Sequence, residues 1–125
     1  MADEIKINSG MSLTNGTLKS PLLRNDFDAD QTVARVLEDT QNITTSSTGE
    51  ALNLGSISTI GWAYFKNLDA TNFVTIGPDN GGGTITSFVK IEPGETAGPI
   101  KINTTSIRAK SDTLAVELWY RIYEA

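Results

Sequence analysis

The stretch STIGWAYFKNLDATNFVTIG, residues 58–77, decides the fold. Residues 60, 62 and 64 (Ile, Trp, Tyr) alternate with residues 61, 63 and 65 (Gly, Ala, Phe). The apolar run 73–76 follows a polar turn that contains Asn67 and Asp69. Alternation with a period of two indicates β-strands, and β-branched and aromatic side chains fit a pleated surface. Asparagine and aspartate favour turns because their side chains bond to nearby backbone groups. We therefore expect a central β-hairpin in an all-β protein.

The composition narrows the classes of function. The 125 residues suit a single domain, residues 1–125, and include no cysteine and no histidine. Disulfides and thiolate chemistry are thereby excluded, as are the commonest general base and the commonest metal ligand. The net charge of -5 argues against binding to a nucleic-acid backbone. We expect no catalytic residues, no metal and no cofactor.

The apolar runs are short, and the first ten residues are polar. A membrane-spanning segment needs about 20 consecutive apolar residues, and a secretory signal needs an apolar central region. We therefore expect no membrane partner. We expect the protein to be made in the cytosol and to leave without a secretory signal, for example at lysis.

The N-terminal segment predicts an extended arm. Ile5 and Ile7 alternate with polar residues, and the dipeptide Asn15-Gly16 is a strong signal for a hairpin turn between apolar runs. We expect residues 1–16 to form an arm that adds a strand to the sheet edge of a partner. Residues 1 to about 45 are less aromatic than the rest, and we expect this larger region to wrap the sandwich or a partner.

The segment after this arm is harder to interpret. Pro21 confines its surroundings to a strand edge or a loop. The run 24–30, RNDFDAD, predicts an acidic loop. Residues 32–38 fit two helical turns or a strand, and we favour a strand because of the β-branched positions. Residues 43–45 indicate another strand.

Further strands are expected over 85–91, 100–102, 107–109 and 114–123, and the sequence EPGE at 92–95 predicts a turn. Eight or nine short strands with glycine, proline and asparagine between them are typical of a sandwich or jelly roll. The fold class is therefore all-β: a single β-sandwich, jelly-roll-like, with an extended N-terminal arm. Gly81-Gly82-Gly83 predicts a loose loop, since no lysine or helix start follows it to make a phosphate site.

The spacing of Asp26, Asp28 and Asp30 is a weak calcium signal. An EF-hand loop requires glycine at its sixth position and glutamate at its twelfth, where this chain has Gln31 and Leu37. We favour a solvated acidic loop, and calcium binding stays open.

Two carboxylates are the minimum for glycoside hydrolysis. Glu92 and Glu95 flank a turn, and Glu117 lies on the last predicted strand. Nothing in the sequence marks these residues as buried or paired, so we do not expect an enzyme.

Aromatic residues offer a platform for a sugar. Trp62, Tyr64, Trp119 and Tyr120 all lie on predicted strands, where a single aromatic residue more often belongs to the core. Alternation in the last strand places Trp119 and Tyr123 on a face that mixes charged and aromatic residues. These two are the better candidates for an exposed contact with a sugar or another subunit.

Several motifs follow one another in a recognisable order: LTNG (13–16), QNIT (41–44), EALNLG (50–55), GWAYFKNLDATNFVTIG (61–77), FVKIEPGE (88–95) and LWYRIY (118–123). This order resembles small β-sandwich structural proteins encoded among the virion genes of tailed bacteriophages, including capsid decoration (cement) proteins. The resemblance covers most of the chain, and its motifs are turns and strands that carry no catalytic residue.

The resemblance implies a jelly-roll-like subunit that assembles as a homo-oligomer, often a trimer, and binds the major capsid protein on the capsid surface of the virion. It does not separate a capsid protein from a carbohydrate- or receptor-binding module of a phage tail or fibre. A small acid/base enzyme is a third and weaker hypothesis.

Overall fold

The computed structural model describes residues 4–125, and their regular structure consists of β-strands alone. The chain divides into two compact units, one up to Thr32 and the other from Val33 to Ala125. No helix in the described part of the chain is long and apolar enough to cross a membrane. The ten strands, in chain order, are β1 (Ile5–Asn15), β2 (Leu18–Ala29), β3 (Val36–Ile43), β4 (Glu50–Ala51), β5 (Ile60–Asn67), β6 (Val74–Pro78), β7 (Val89–Ile91), β8 (Thr96–Lys101), β9 (Ile107–Ser111) and β10 (Val116–Glu124).

The first unit is a long two-stranded ribbon in which β1 and β2 pair in antiparallel fashion. Its turn lies at Asn15-Gly16, as predicted, and Gly16 has a φ of 59°, which a glycine adopts without strain. The register shifts between Met11 and Leu13, so Pro21 and Leu22 together face one residue of β1. This bulge accommodates a proline, which cannot donate a ladder hydrogen bond.

The N-terminal segment is extended, and it pairs with the residues that follow it. Residues 1–3 of the expected arm lie outside the described residues. The acidic loop expected at 24–30 is wrong, because β2 continues to Ala29. The charges of Asp26 and Asp28 do not indicate a loop, because alternate residues of a strand can point into solvent.

The second unit is a sandwich of two four-stranded sheets. One sheet has the strand order β3-β10-β5-β8, and the other has the order β4-β9-β6-β7. Eight antiparallel strands, of which every consecutive pair except β6 and β7 changes sheet, form a jelly roll in this order. The predicted all-β sandwich of jelly-roll type is therefore confirmed.

The core of the sandwich lies between the two sheets and is built from inward-facing residues of most strands. The last strand contributes most, because alternate residues of β10 are almost fully buried. The buried apolar residues of the cluster are Ile43, Leu52, Ile57, Ile60, Ala63, Phe65, Val74, Ile76, Ile91, Ile107, Ala109, Val116, Leu118, Tyr120 and Ile122.

The predicted central hairpin is wrong in its pairing, although both of its strands exist. β5 and β6 belong to different sheets, and the segment between them crosses the sandwich. The Asn67 side-chain amide is buried and donates to the carbonyl oxygens of Asn72 (2.9 Å) and Ile91 (3.0 Å). A carboxylate oxygen of Asp69 accepts the backbone N–H groups of Thr71 (2.9 Å) and Asn72 (2.6 Å). The residues that signalled a turn therefore shape a crossing between sheets.

The strand expected at 85–91 is shorter than predicted. Only Val89–Ile91 forms β7, and an isolated bridge joins Asp79 to Ile85. Ile76 pairs with Val89, but it also accepts the backbone N–H of Phe88, and Pro78 accepts that of Thr86, so the register shifts by one residue at Phe88. The loop at 81–83 is present as predicted.

The other predicted segments agree with the structure to within a few residues. The turn at 92–95 is present, and Gly94 has a φ of 77°. Residues 32–35 precede β3 and are not strand, so the strand preferred for 32–38 is correct only from Val36. The separate strand expected at 43–45 is wrong, because Ile43 is the last residue of β3 and residues 44–45 are not strand. Leu114 lies outside β10 and is exposed, so the strand predicted from residue 114 begins at Val116.

Candidate functional site

The three aspartates of the D-x-D-x-D pattern do not form a calcium loop. Asp26 and Asp28 lie on one face of β2 and take part in ion pairs, with Arg24 (3.1 Å) and Lys6 (2.9 Å) respectively. No group of three or more potential metal ligands occurs among residues 4–125. The pattern results from strand alternation, which places residues i and i+2 on the same face.

The opposite face of the ribbon carries no charged residue. Cross-strand partners such as Ile7 and Phe27, or Met11 and Leu23, lie side by side on it. We call this surface the ribbon apolar face, and it comprises Ile5, Ile7, Ser9, Met11, Leu13, Asn15, Leu18, Ser20, Leu23, Asn25, Phe27 and Ala29. The ribbon is therefore amphipathic, with all its charges on the other face.

Coverage of the ribbon apolar face changes along its length. Ile5 and Ile7, near the end opposite the turn, are buried. Met11 is 77% exposed and Leu23 is 74% exposed, and Leu13 and Leu18 are exposed as well. Single exposed apolar residues are common on protein surfaces, but several on one sheet face indicate an interaction site.

Leu22 is exposed too, but it lies on the charged face. Its Cδ1 would be 3.3 Å from a Cβ built at Gly10, and Gly10 pairs with Arg24. Because of the bulge at Pro21 and Leu22, the side chains of the adjacent Leu22 and Leu23 lie on opposite faces of the ribbon. The chain thus supplies a matched pair of residues, Leu22 and Leu23, on the two faces.

A second surface is the outer face of the sheet β3-β10-β5-β8. Trp62, Tyr64, Trp119 and Tyr123 point outward there and are half-buried. The rings of Tyr64 and Trp119 meet edge to face with centroids 6.1 Å apart. The Arg121 guanidinium carbon lies 5.6 Å from the centre of the Trp119 ring. The expectation that Trp119 and Tyr123 share an outer face with charged residues is confirmed.

Tyr120 does not belong to this aromatic surface. Its ring is buried in the core, its hydroxyl donates to the backbone oxygen of Asn53 (2.7 Å), and Oε1 of Gln41 lies 3.1 Å from the same hydroxyl. Desolvation by burial, with the nearby charge of Asp39, raises the pKa of Tyr120 to about 12. The ring is therefore a packing element and cannot reach a sugar from inside the core.

The carboxylates considered for acid/base work have other contacts. Glu92 forms an ion pair with Lys90 (2.7 Å), and Oε1 of Glu95 accepts the backbone N–H of Glu92 (3.2 Å). Glu117 is exposed on the outer face of β10. These contacts stabilise a turn and a surface, and they do not orient two carboxyl groups about a bond.

The sequence interpretation missed Glu124, which is the most buried carboxylate among the described residues. Its Oε1 accepts the hydroxyl of Ser58 (2.5 Å) and the backbone N–H groups of Ser58 and Thr59, and its Oε2 lies 2.8 Å from Arg35. The Ser58 hydroxyl, the two backbone donors and Arg35 lower the pKa of Glu124 to about 2. The alternation of β10 contained the signal, because Glu124 follows Ile122 on the buried face.

An apolar cavity of about 250 Å³ opens beside β7 and β8, the edge strands of the two sheets. Phe65, Ile76 and Ile102 are among its lining residues, and Phe88 is the most exposed of them. Binding sites for small organic ligands usually measure about 300–1,000 Å³. The cavity is too small and too short of polar groups to define a ligand site.

The chain therefore has two candidate contact surfaces. One is the ribbon apolar face in the first unit, and the other is the aromatic outer face of the jelly roll, formed by Trp62, Tyr64, Trp119 and Tyr123. Comparison of the chain with protein-family models, with curated proteins and with solved structures gave no significant match.

Proposed function

We propose that this chain is a virion structural protein of a tailed bacteriophage, specifically a capsid decoration (cement) protein. In this proposal it is made in the host cytoplasm, assembles as a homo-oligomer and binds the major capsid protein on the surface of the assembled head. The order of sequence motifs supports the proposal. The jelly roll is compatible with it but is also used by sugar-binding lectins, so the fold alone does not decide the function.

The observation that carries the proposal is the exposed, uncharged end of the ribbon apolar face. A chain with net charge -5 keeps its ribbon charges on one side and presents Met11, Leu13, Leu18 and Leu23 on the other. A contiguous apolar surface of this kind on a folded protein indicates contact with another protein. Assembly is a function for which such a surface is needed and for which reactive residues are not.

The energetics of a shell suit weak contacts repeated many times. A protein that binds assembled subunits but not free ones stabilises the assembled state by mass action. Copies that are linked to one another bind a lattice more tightly than one copy does, because later contacts form at high effective concentration. No single contact then needs to be strong.

The direct test is to mix the purified protein with heads of the corresponding phage from which decoration has been removed. We expect regular added density on the shell by electron microscopy and a higher temperature of head rupture. Heads that show neither, with a protein that is folded by circular dichroism, would contradict the capsid role. A Leu23→Ser variant tests whether the ribbon apolar face is needed for binding to heads, and Leu22→Ser is the control on the charged face.

A second candidate is a carbohydrate- or receptor-binding module of a tail or fibre. The specific observation in its favour is the pair Tyr64 and Trp119, whose rings lie on the outer face next to Arg121. Aromatic rings with a polar neighbour are a common platform for sugars. Quenching of tryptophan fluorescence by host polysaccharide, lost in Trp119→Ala, would support this module over the capsid protein.

A further inference from the structure

All charged side chains of the two ribbon strands lie on one face. On one face, Lys6, Arg24, Asp26 and Asp28 form ion pairs with each other. On the other face, the strands contribute only apolar and neutral polar residues. Since the chain as a whole is acidic, an uncharged face is the surface on which two copies meet with least electrostatic repulsion.

The exposed part of the ribbon apolar face is expected to pack against a partner. A two-stranded ribbon is marginally stable in water unless its apolar face packs against something. Met11, Leu13, Leu18 and Leu23 occupy consecutive cross-strand positions next to the turn, and all four are exposed. Their alternation matches a partner that is itself a β-ribbon with apolar residues at every second position.

We propose that the exposed part of the ribbon apolar face, next to the turn, binds the same part of a second copy of this chain. An identical ribbon supplies equal length, the same spacing of apolar residues and no opposing charge. Ser9, Asn15, Ser20 and Asn25 lie among the apolar residues and are neutral, so they can bond across the contact without placing a charge there. The charged faces then remain outside, where water solvates them.

The size of the surface predicts a contact of moderate strength. Four partly exposed apolar side chains amount to roughly 300 Å² of apolar surface on each copy, at the lower end of functional patches. A specific interface buries about 1,000 Å² in total, so the polar residues of the face have to take part. We therefore expect association that depends on protein concentration.

Sedimentation velocity of the full chain across a range of concentrations tests the proposal. We expect wild-type protein to associate, Leu23→Ser to associate about tenfold more weakly or worse, and Leu22→Ser to behave like wild type within about twofold. The two leucines are adjacent, similarly exposed and on opposite faces, so a general effect of losing an apolar residue would appear in both variants.

Thiol labelling gives a second measurement that does not depend on removing an apolar residue. The chain has no cysteine, so Ser20→Cys on the apolar face and Ser12→Cys on the other face each introduce a single thiol. We expect labelling at position 20 to slow as protein concentration rises, while labelling at position 12 does not.

A wild-type chain that is monomeric at every concentration would overturn the inference, as would equal effects of Leu22→Ser and Leu23→Ser. Equal labelling rates at positions 12 and 20 would do the same. The inference rests on the proposed function only for the role of the oligomer on a shell. Self-association without binding to heads would retain this inference and reject the capsid role, and binding to heads by a monomer would do the reverse.

Discussion

The ribbon and the sandwich both contain strands of alternating side chains, which are exposed in the ribbon and buried on one face in the sandwich. In β10, alternate residues from Val116 to Glu124 are almost completely buried between two sheets. In β2, apolar and charged residues also alternate after the bulge, but every residue before Ala29 is exposed. The difference teaches that alternation assigns a residue to a face, whereas burial requires a second layer to cover that face.

The largest expected difference between the two regions concerns leucine truncation. Leu118→Ala removes a side chain that is fully buried, and we expect it to lower the free energy of unfolding by about 2–5 kcal/mol. Leu18→Ala in the ribbon should change it by less than about 0.5 kcal/mol when the protein is dilute. Urea denaturation followed by far-UV circular dichroism, to which the strands of both units contribute, measures both, and similar losses would refute the contrast.

Glycines in the two regions should differ as well. A Cβ at Gly77 would overlap the carbonyl oxygen of Thr86, whose backbone is fixed by its bond to Pro78. We expect Gly77→Ala to cost about 1–3 kcal/mol, since the backbone has to move. A Cβ at Gly10 in the ribbon meets the flexible end of Leu22, so Gly10→Ala should cost much less. Thermal unfolding of the two variants decides this.

The buried carboxylate predicts how the sandwich responds to acid. The pKa of Glu124 is about 2 in the folded protein, and its ordinary value is 4.5. A lowered pKa contributes stability above the unfolded value, and this contribution is lost as pH falls from about 4.5 towards about 2. We expect Glu124→Gln to be less stable at pH 7 and less sensitive to acid over that range. Backbone hydrogen bonds also lower the pKa of Asp69 and Asp79, so some pH dependence should remain.

The smallest expected effect belongs to the ion pairs of the ribbon. Arg24 and Asp26 are exposed, and such pairs contribute about 0–1 kcal/mol. We expect Arg24→Ala to shift the midpoint of thermal unfolding only slightly, and 1 M salt to remove even that difference, because screening at this ionic strength acts over about 3 Å. A large shift that persists in salt would show that the charged face of the ribbon has a further structural role.

The sequence by itself determined the fold class, most of the strands and the faces of β10. It also determined the chemistry of the candidate surfaces: alternation separates Trp119 and Tyr123 from the core residues beside them, and composition removes histidine and cysteine from any mechanism. These properties are local, because side-chain direction along a strand follows from backbone geometry alone.

Only the tertiary structure decided which strands pair and which faces are covered. The run 58–77 has the same sequence pattern whether β5 and β6 pair as a hairpin or lie in different sheets, because side chains alternate with a period of two in both cases. Likewise, the sequence of β2 predicts a loop because it is rich in charge. Only the pairing of β2 with β1 shows that these charges lie on one face of an amphipathic ribbon. Pairing and coverage join residues that are distant along the chain, so their free energies are not contained in any short stretch of sequence.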